Sequence, residues 1–122
     1  DTKKMREINQ KALPEEVNVM HICIPCTNKK EFVKNVVAYM ERFKPKLTII
    51  NSTVPPGVTM EIYKFCGDDC LVAHSPVRGV HKSLEHMMWE LKRWVKYIGG
   101  VNKKAAEATQ RHFERLGLKL RF

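Results

Sequence analysis

Short apolar runs alternate with helix-forming segments along most of this chain, and this alternation limits the possible folds more than any other feature. Runs rich in β-branched residues predict buried strands at 17–24, 46–52, 70–75, 94–98 and 118–122. Apolar residues at helical spacing predict helices at 29–43, 58–66, 85–91 and 102–116, with Asn28 and Asn102 as N-caps. Such an order is typical of βαβ units. We therefore expect a three-layer α/β fold with a mostly parallel sheet of four to five strands.

Length and composition indicate a single folded domain over residues 1–122. A helical spacing over residues 2–13 predicts a leading helix, which Pro14 ends. Hydrophobic residues make up 43% and charged residues 29% of the chain, which is typical of a folded soluble protein. Because no apolar run is long enough to span a bilayer, we expect no membrane partner.

The chain carries a formal net charge of +9, which is spread over several segments rather than confined to one tail. A basic surface attracts polyanions and phosphate-bearing molecules. No basic run is interleaved with aromatic residues, and no nucleic-acid-binding motif is present. The charge therefore fits either a lysine-rich solvated surface or a phosphate-bearing small molecule as a partner, and we do not expect nucleic acid.

Four cysteines stand at Cys23, Cys26, Cys66 and Cys70. The C-x-x-C of Cys23 and Cys26, between a strand and a helix, is the pattern of a redox pair. A mid-strand position for Cys23 instead favours two buried, unreactive cysteines. The C-x2-C and C-x3-C pairs also have the composition of a zinc site, but a mid-strand residue is not on the tight turn that zinc ligands need. We expect no metal site and free thiols in the cytoplasm.

Three loops follow the carboxyl ends of the first three predicted strands: Pro25–Asn28, Ser52–Gly57 and Ser75–Gly79. Parallel sheets bind their ligands at this edge. The sequence contains no G-x-G-x-x-G, no Walker A motif and no G-x-S-x-G. A phosphate cradle of the usual kind and a hydrolase nucleophile are therefore not visible in this sequence.

The second of these loops, with the sequence STVPPG, resembles the S-T-V-P-x-G loop of the UDP-glucose/GDP-mannose dehydrogenase family. Residues 24–27 (IPCT) are similar to the family's V-P-T-P loop, and Ser75-Pro76 to the start of its S/N-P-E-x-x-x-E segment. Residues 97–100 (YIGG) are similar to its V-I-G-G. The order of the four pieces matches, so residues 17–122 resemble the second half of the family's N-terminal, NAD-binding Rossmann domain.

The resemblance implies positions for several side chains. The residues placed along NAD would be Pro25, Thr27, Ser52, Thr53 and Pro55. Those on the substrate side would be Ser75, Pro76 and Arg78. In the family, the threonine of S-T-V-P lies by the nicotinamide and helps to position the water used in the oxidation, which would make Thr53 the catalytic residue. The alternative is that Thr53 only hydrogen-bonds its own proline loop.

The chain also departs from the family. Val77 and His81 stand where the S/N-P-E-x-x-x-E segment has glutamates. The family's glycine-rich loop would lie upstream of this sequence, and its catalytic cysteine downstream. The resemblance therefore implies part of a nucleotide-sugar dehydrogenase-like protein, one wall of an NAD and sugar-nucleotide cleft, inactive without the remainder of the dehydrogenase or a second copy. Two alternatives stay open: a stand-alone Rossmann-like binding or assembly module, and a thiol oxidoreductase using Cys23 and Cys26.

Overall fold

Three short parallel strands form most of the main sheet: β1 (Val19–Ile22), β2 (Leu47–Ile50) and β3 (Leu71–His74). The structure is a computed structural model that describes residues 15–67, 69–77 and 82–121. The leading helix predicted for residues 2–13 lies outside these ranges, as do Arg78 and His81. Consecutive strands are neighbours and stay parallel, so their carboxyl ends meet at one edge of the sheet.

Helices connect and flank these strands. The first two are α1 (Lys29–Phe43) and α2 (Val58–Lys64), and the later two are α3 (Leu84–Arg93) and α4 (Lys103–Glu114). The predicted N-caps are confirmed, because the Asn28 side chain accepts a hydrogen bond from the Glu31 amide and the Asn102 side chain accepts one from the Ala105 amide. Ser83 caps α3 in the same way, and the helix begins at Leu84, one residue earlier than the sequence predicts.

The remaining strands are shorter than expected. The strand predicted for residues 94–98 is confirmed only at β4 (Lys96–Tyr97), and a further strand, β5 (Gly99–Gly100), follows it at the two glycines. The strand β5 joins β3 in antiparallel fashion, whereas β4 pairs in parallel with β6 (Leu120–Arg121) in a second, two-stranded sheet. A Cβ on Gly100 would lie 2.5 Å from the Ala106 backbone nitrogen, so α4 packs against β5 only where that residue is glycine.

The core is divided between the two faces of the sheet. On one face, alternate strand residues pack under α1 and α2 in a cluster that includes Ile22, Ile50 and Val72. On the other face, Leu47 and Ile49 pack with Ile98 and with Phe113 of α4. Helices therefore cover both faces, and the expected α/β fold with a mostly parallel sheet is confirmed, consistent with an incomplete Rossmann-like fold. Within the described ranges, no helix is both long and apolar enough to cross a membrane.

Candidate functional site

The loops that follow β1 and β2 are tied together by hydrogen bonds. The backbone amides of Asn51 and Ser52 both donate to the Ile22 carbonyl, at 2.8 and 3.2 Å. The Ser52 hydroxyl donates to the Ile24 carbonyl at 2.5 Å. Ser52 is buried. Its side chain therefore fixes the distance between the two loops.

The loop that follows β3 is joined to the same assembly. The Asn51 side-chain amide donates to the Ser75 carbonyl at 2.7 Å, and the Val77 amide donates to the Asn51 carbonyl at 3.2 Å. Ser75 is fully buried, and its hydroxyl donates to the Tyr97 carbonyl at 2.6 Å. A further contact joins the end of β3 to the loop after β2, where Nε2 of His74 lies 3.1 Å from the Ser52 carbonyl. The three loops that the sequence places at one sheet edge thus form one hydrogen-bonded unit.

Two hydroxyl groups of this unit stay open to solvent. Thr27 and Thr53 are exposed, and neither side chain makes a hydrogen bond within the described ranges. Val54, directly beside Thr53, packs against the hydrophobic cluster under α1 and α2 and so anchors the loop. The alternative that Thr53 bonds its own proline loop is not supported by any contact there. Its hydroxyl is free to meet a ligand.

The prolines assigned to the site lie beside these hydroxyls and line the same edge. Pro25 and Pro55 are exposed, and Pro76 is half-buried. Pro76 also borders a small cleft with Glu90 and Trp94. The buried Glu90 carboxylate accepts a hydrogen bond from the Trp94 indole and lies 3.4 Å from Nε2 of His86. The sequence did not indicate this carboxylate beside the loop after β3, because Glu90 and Pro76 are far apart along the chain.

A polar cluster lies on the α4 face of the sheet, just below the loops. Nδ1 of His21 is 2.7 Å from Oδ1 of Asn51, and Nε2 of His21 is 2.9 Å from Nε2 of His112. Nζ of Lys96 donates to the Ser75 carbonyl at 3.2 Å and lies 5.0 Å from the centre of the Phe113 ring. These residues come from β1, β4 and α4 and from the loops after β2 and β3. The only feature of the sequence that could have indicated this cluster was His21, a histidine within an apolar strand.

In and beside this cluster, the pKa values of three groups are shifted so that the neutral form is favoured. Burial lowers the pKa of Lys96, and the nearby Cys23 partly opposes that change. Burial also raises the pKa of the Cys23 thiol, with Lys96 acting in the opposite direction. The pKa of His112 is lowered by burial and further by electrostatic interactions with His21 and Arg115. The surroundings therefore favour a neutral thiol and a neutral imidazole.

The cysteines differ from their expected arrangement. Cys23 follows β1 rather than lying inside it, and although its surroundings desolvate the thiol enough to raise its pKa, the residue is exposed, so its expected deep burial is wrong. Cys66 and Cys70 form a disulfide, which corrects the expectation of four free thiols. Cys26 packs under α1 and α2, whereas Sγ of Cys23 lies 4.0 Å from Asn51 on the α4 side. Across the described residues, no three His, Cys, Asp or Glu side chains are grouped to hold a metal.

This chain is similar in sequence to several proteins named as UDP-N-acetyl-D-mannosamine dehydrogenases. The UDP-N-acetyl-D-mannosamine dehydrogenase of Methanocaldococcus jannaschii is 34% identical over 116 aligned residues, covering 83% of this chain and 26% of the relative. The enzyme of the same name from Methanococcus aeolicus is 33% identical over 115 residues, covering 82% of this chain and 26% of the relative. That of Methanococcus vannielii is 29% identical over 119 residues, with coverage of 86% and 27%.

The chain spans about a quarter of the length of these curated relatives. No protein-family model matches it. No solved structure matches it either. The similarity over most of this chain supports the resemblance to nucleotide-sugar dehydrogenases that the loop motifs indicate.

Proposed function

We propose that this chain is part of a nucleotide-sugar dehydrogenase-like protein and forms one wall of its cleft for NAD and a sugar nucleotide. The relatives at 28–34% identity are all named as UDP-N-acetyl-D-mannosamine dehydrogenases. The observation that carries the proposal is the Thr53 hydroxyl, which is exposed and makes no hydrogen bond to any residue that the structure describes, in a loop whose neighbouring residues are held in place. A fixed loop with a free hydroxyl is suited to contact a ligand at the edge of a parallel sheet.

The residues of the site divide into two groups by their contacts. Ser52 and Ser75 are buried and use their hydroxyls to hold the loops, so they shape the wall. Thr27 and Thr53 are exposed, with Pro25 and Pro55 beside them, and these four present the surface along which the cofactor would lie. NAD supplies the hydride acceptor when it is bound. In this arrangement Thr53 can donate a hydrogen bond to the ligand or orient a water molecule next to it.

The residues present fit only part of a dinucleotide. They offer a wall for its nicotinamide end, but the sequence has no glycine-rich G-x-G-x-x-G turn to bind the pyrophosphate. Loss of two or three charge-assisted hydrogen bonds, each worth roughly 1.5–3 kcal/mol, weakens binding by roughly 10²–10⁶-fold. Val77 also lacks the carboxylate of the family's substrate-side segment. We therefore propose that the chain requires the rest of the dehydrogenase, or a second copy, for activity.

The thiol-oxidoreductase alternative is less consistent with the site. A redox cysteine needs a lowered pKa to supply thiolate, and burial raises the pKa of Cys23. Cys26 packs on the opposite face of the sheet. The stand-alone binding or assembly module is a separate alternative, which a ligand titration distinguishes from the proposal.

The test is a titration of the ¹⁵N-labelled chain with NAD and, separately, with UDP-N-acetyl-D-mannosamine, each up to about 10 mM, followed by NMR. We expect chemical-shift changes confined to residues 23–28, 51–57 and 75–77, with dissociation constants of about 0.1 mM or weaker. Thr53→Val should reduce these changes, whereas Thr59→Val, on α2, should not. Changes centred elsewhere, or none at all, would overturn the proposal and favour the assembly module.

A further inference from the structure

The imidazoles of His21, on β1, and His112, on α4, meet across the interface between the sheet and that helix. Their Nε2 atoms are 2.9 Å apart, so one must donate and the other accept. The Asn51 amide decides which. Because its Nδ2 donates to the Ser75 carbonyl, its Oδ1 faces His21 and accepts a hydrogen bond from Nδ1–H. His21 therefore has an unprotonated Nε2, which accepts the hydrogen bond from Nε2–H of His112.

This arrangement is sensitive to protons. One added proton can be carried on Nδ1 of His112 while its Nε2–H still donates to His21. A second proton, on Nε2 of His21, would set two N–H groups against each other at 2.9 Å and place two positive charges side by side. His21 is exposed, so protons from solvent reach the pair directly.

The surroundings oppose any positive charge at the pair. Arg115, after α4, acts on His112 and disfavours its charged form. The other ionisable groups near this face are Lys96 on β4 and Cys23 after β1, which interact with each other. The strands β2, β3 and β5 present only uncharged residues on this face, such as Ile49, Ala73 and Gly100. The carboxylates of α4, Glu107 and Glu114, are engaged with Lys103 and Gln110. Among the described residues, none forms an ion pair with His21 or His112.

We propose that His21 and His112 form a proton-operated latch between α4 and the sheet. When the latch is closed, α4 is fixed to β1, and Asn51 is held in the orientation that ties the loops after β2 and β3 together. When both imidazoles are charged, their repulsion opens this contact and loosens Asn51 and the loop that carries Ser52 and Thr53. The latch is a regulatory device independent of the ligand that the loops bind.

The first test is direct observation of the two rings. Long-range ¹H–¹⁵N spectra of the full chain at about pH 7.5 should show His21 protonated at Nδ1 and His112 protonated at Nε2. The opposite tautomer at His21 would overturn the assignment of donor and acceptor. This measurement needs no variant and so does not depend on whether a substituted chain folds.

The second test separates titration from hydrogen bonding. His112→Gln keeps an N–H donor at a similar reach but cannot titrate, and Lys104→Gln is the control for charge loss elsewhere on α4. As the pH falls from about 7 to about 5, the unfolding equilibrium constant should rise in both proteins. The rise in the wild type should exceed that in His112→Gln by a factor of up to about ten per pH unit. Lys104→Gln should follow the wild type. If the unfolding equilibrium constants of the wild type and His112→Gln depend equally on pH, the proposed latch is overturned.

The third test addresses the link to the loops. Amide hydrogen exchange at residues 51–53 and 77, corrected for intrinsic rates, should accelerate on acidification in the wild type and not in His112→Gln. Acid-dependent stability without any change in exchange at these amides would overturn the coupling. This outcome is distinguishable from a failure of the dehydrogenase proposal, since no ligand is present.

Discussion

The side-chain amide of Asn51 donates a 2.7 Å hydrogen bond to the backbone carbonyl of Ser75 and so joins the end of β2 to the end of β3. Its carbonyl oxygen accepts from His21 on β1, so that one nearly buried side chain connects three parallel strands. Asn51 directly precedes the Ser52–Gly57 loop but is not part of the motif that carries the family resemblance. The shape of the candidate site thus depends on a residue just outside its motif.

Asn51→Ala should destabilise the fold by about 1–3 kcal/mol, because it removes both hydrogen bonds and leaves buried polar groups short of partners. The measurement is urea unfolding at neutral pH. Asn35→Ala, at an exposed position of α1, is the matched control and should change the free energy of unfolding by less than about 0.5 kcal/mol. Similar losses in the two variants would show that Asn51 does not hold the strands together.

Adjacent hydroxyls should behave in opposite ways. Ser52→Ala removes the hydrogen bonds to the Ile22 and Ile24 carbonyls and should lower the free energy of unfolding by about 0.5–1.5 kcal/mol. Thr53→Val removes an exposed hydroxyl without a hydrogen bond and should change stability by less than about 0.5 kcal/mol. Thermal unfolding of both variants is the check. A clearly destabilised Thr53→Val would mean that this hydroxyl has a structural role.

Lys96→Met should gain stability relative to the wild type as the pH falls. Burial lowers the pKa of Lys96 in the folded state, so folding is favoured above the unfolded pKa of about 10.4 and loses that advantage as the pH falls through the folded pKa. Methionine keeps the apolar stem and has no proton to bind. The comparison is denaturant unfolding between about pH 10.5 and pH 7. Lys92→Met, at an exposed site, should show no such trend. The prediction is contradicted if the difference in free energy of unfolding between Lys96→Met and the wild type does not change with pH.

Thiol chemistry should distinguish the cysteine pairs. The native chain should show two free thiols, from Cys23 and Cys26, and two more after reduction of the Cys66–Cys70 disulfide. Because burial raises the pKa of Cys23, its alkylation at neutral pH should be slow and should accelerate as the pH rises. Cys23→Ser identifies its share of the reaction. Four reactive thiols before reduction would show that the disulfide is absent.

Local patterns predicted the main elements of the fold. The apolar runs located β1, β2 and β3, and Asn28 and Asn102 were identified as caps, because these features depend on residues within a few positions of each other. The strand predicted for residues 94–98 was confirmed only at Lys96–Tyr97, since apolar character around Ile98 shows that the segment is buried but not which sheet it joins. Two short strands in two sheets satisfy the same pattern.

The sequence by itself determined the α/β class, the order of its main elements and the three loops at one sheet edge, because periodicity and turn residues act locally. Only the tertiary structure decided which loop hydroxyls make hydrogen bonds within the described part of the chain. The Ser52 hydroxyl makes one to the Ile24 carbonyl, whereas the exposed Thr53 hydroxyl makes none. It also brought His21 to His112, from positions 91 residues apart, and paired Cys66 with Cys70. Such contacts follow from strand register and helix docking, which the burial of the whole core fixes and no single segment encodes.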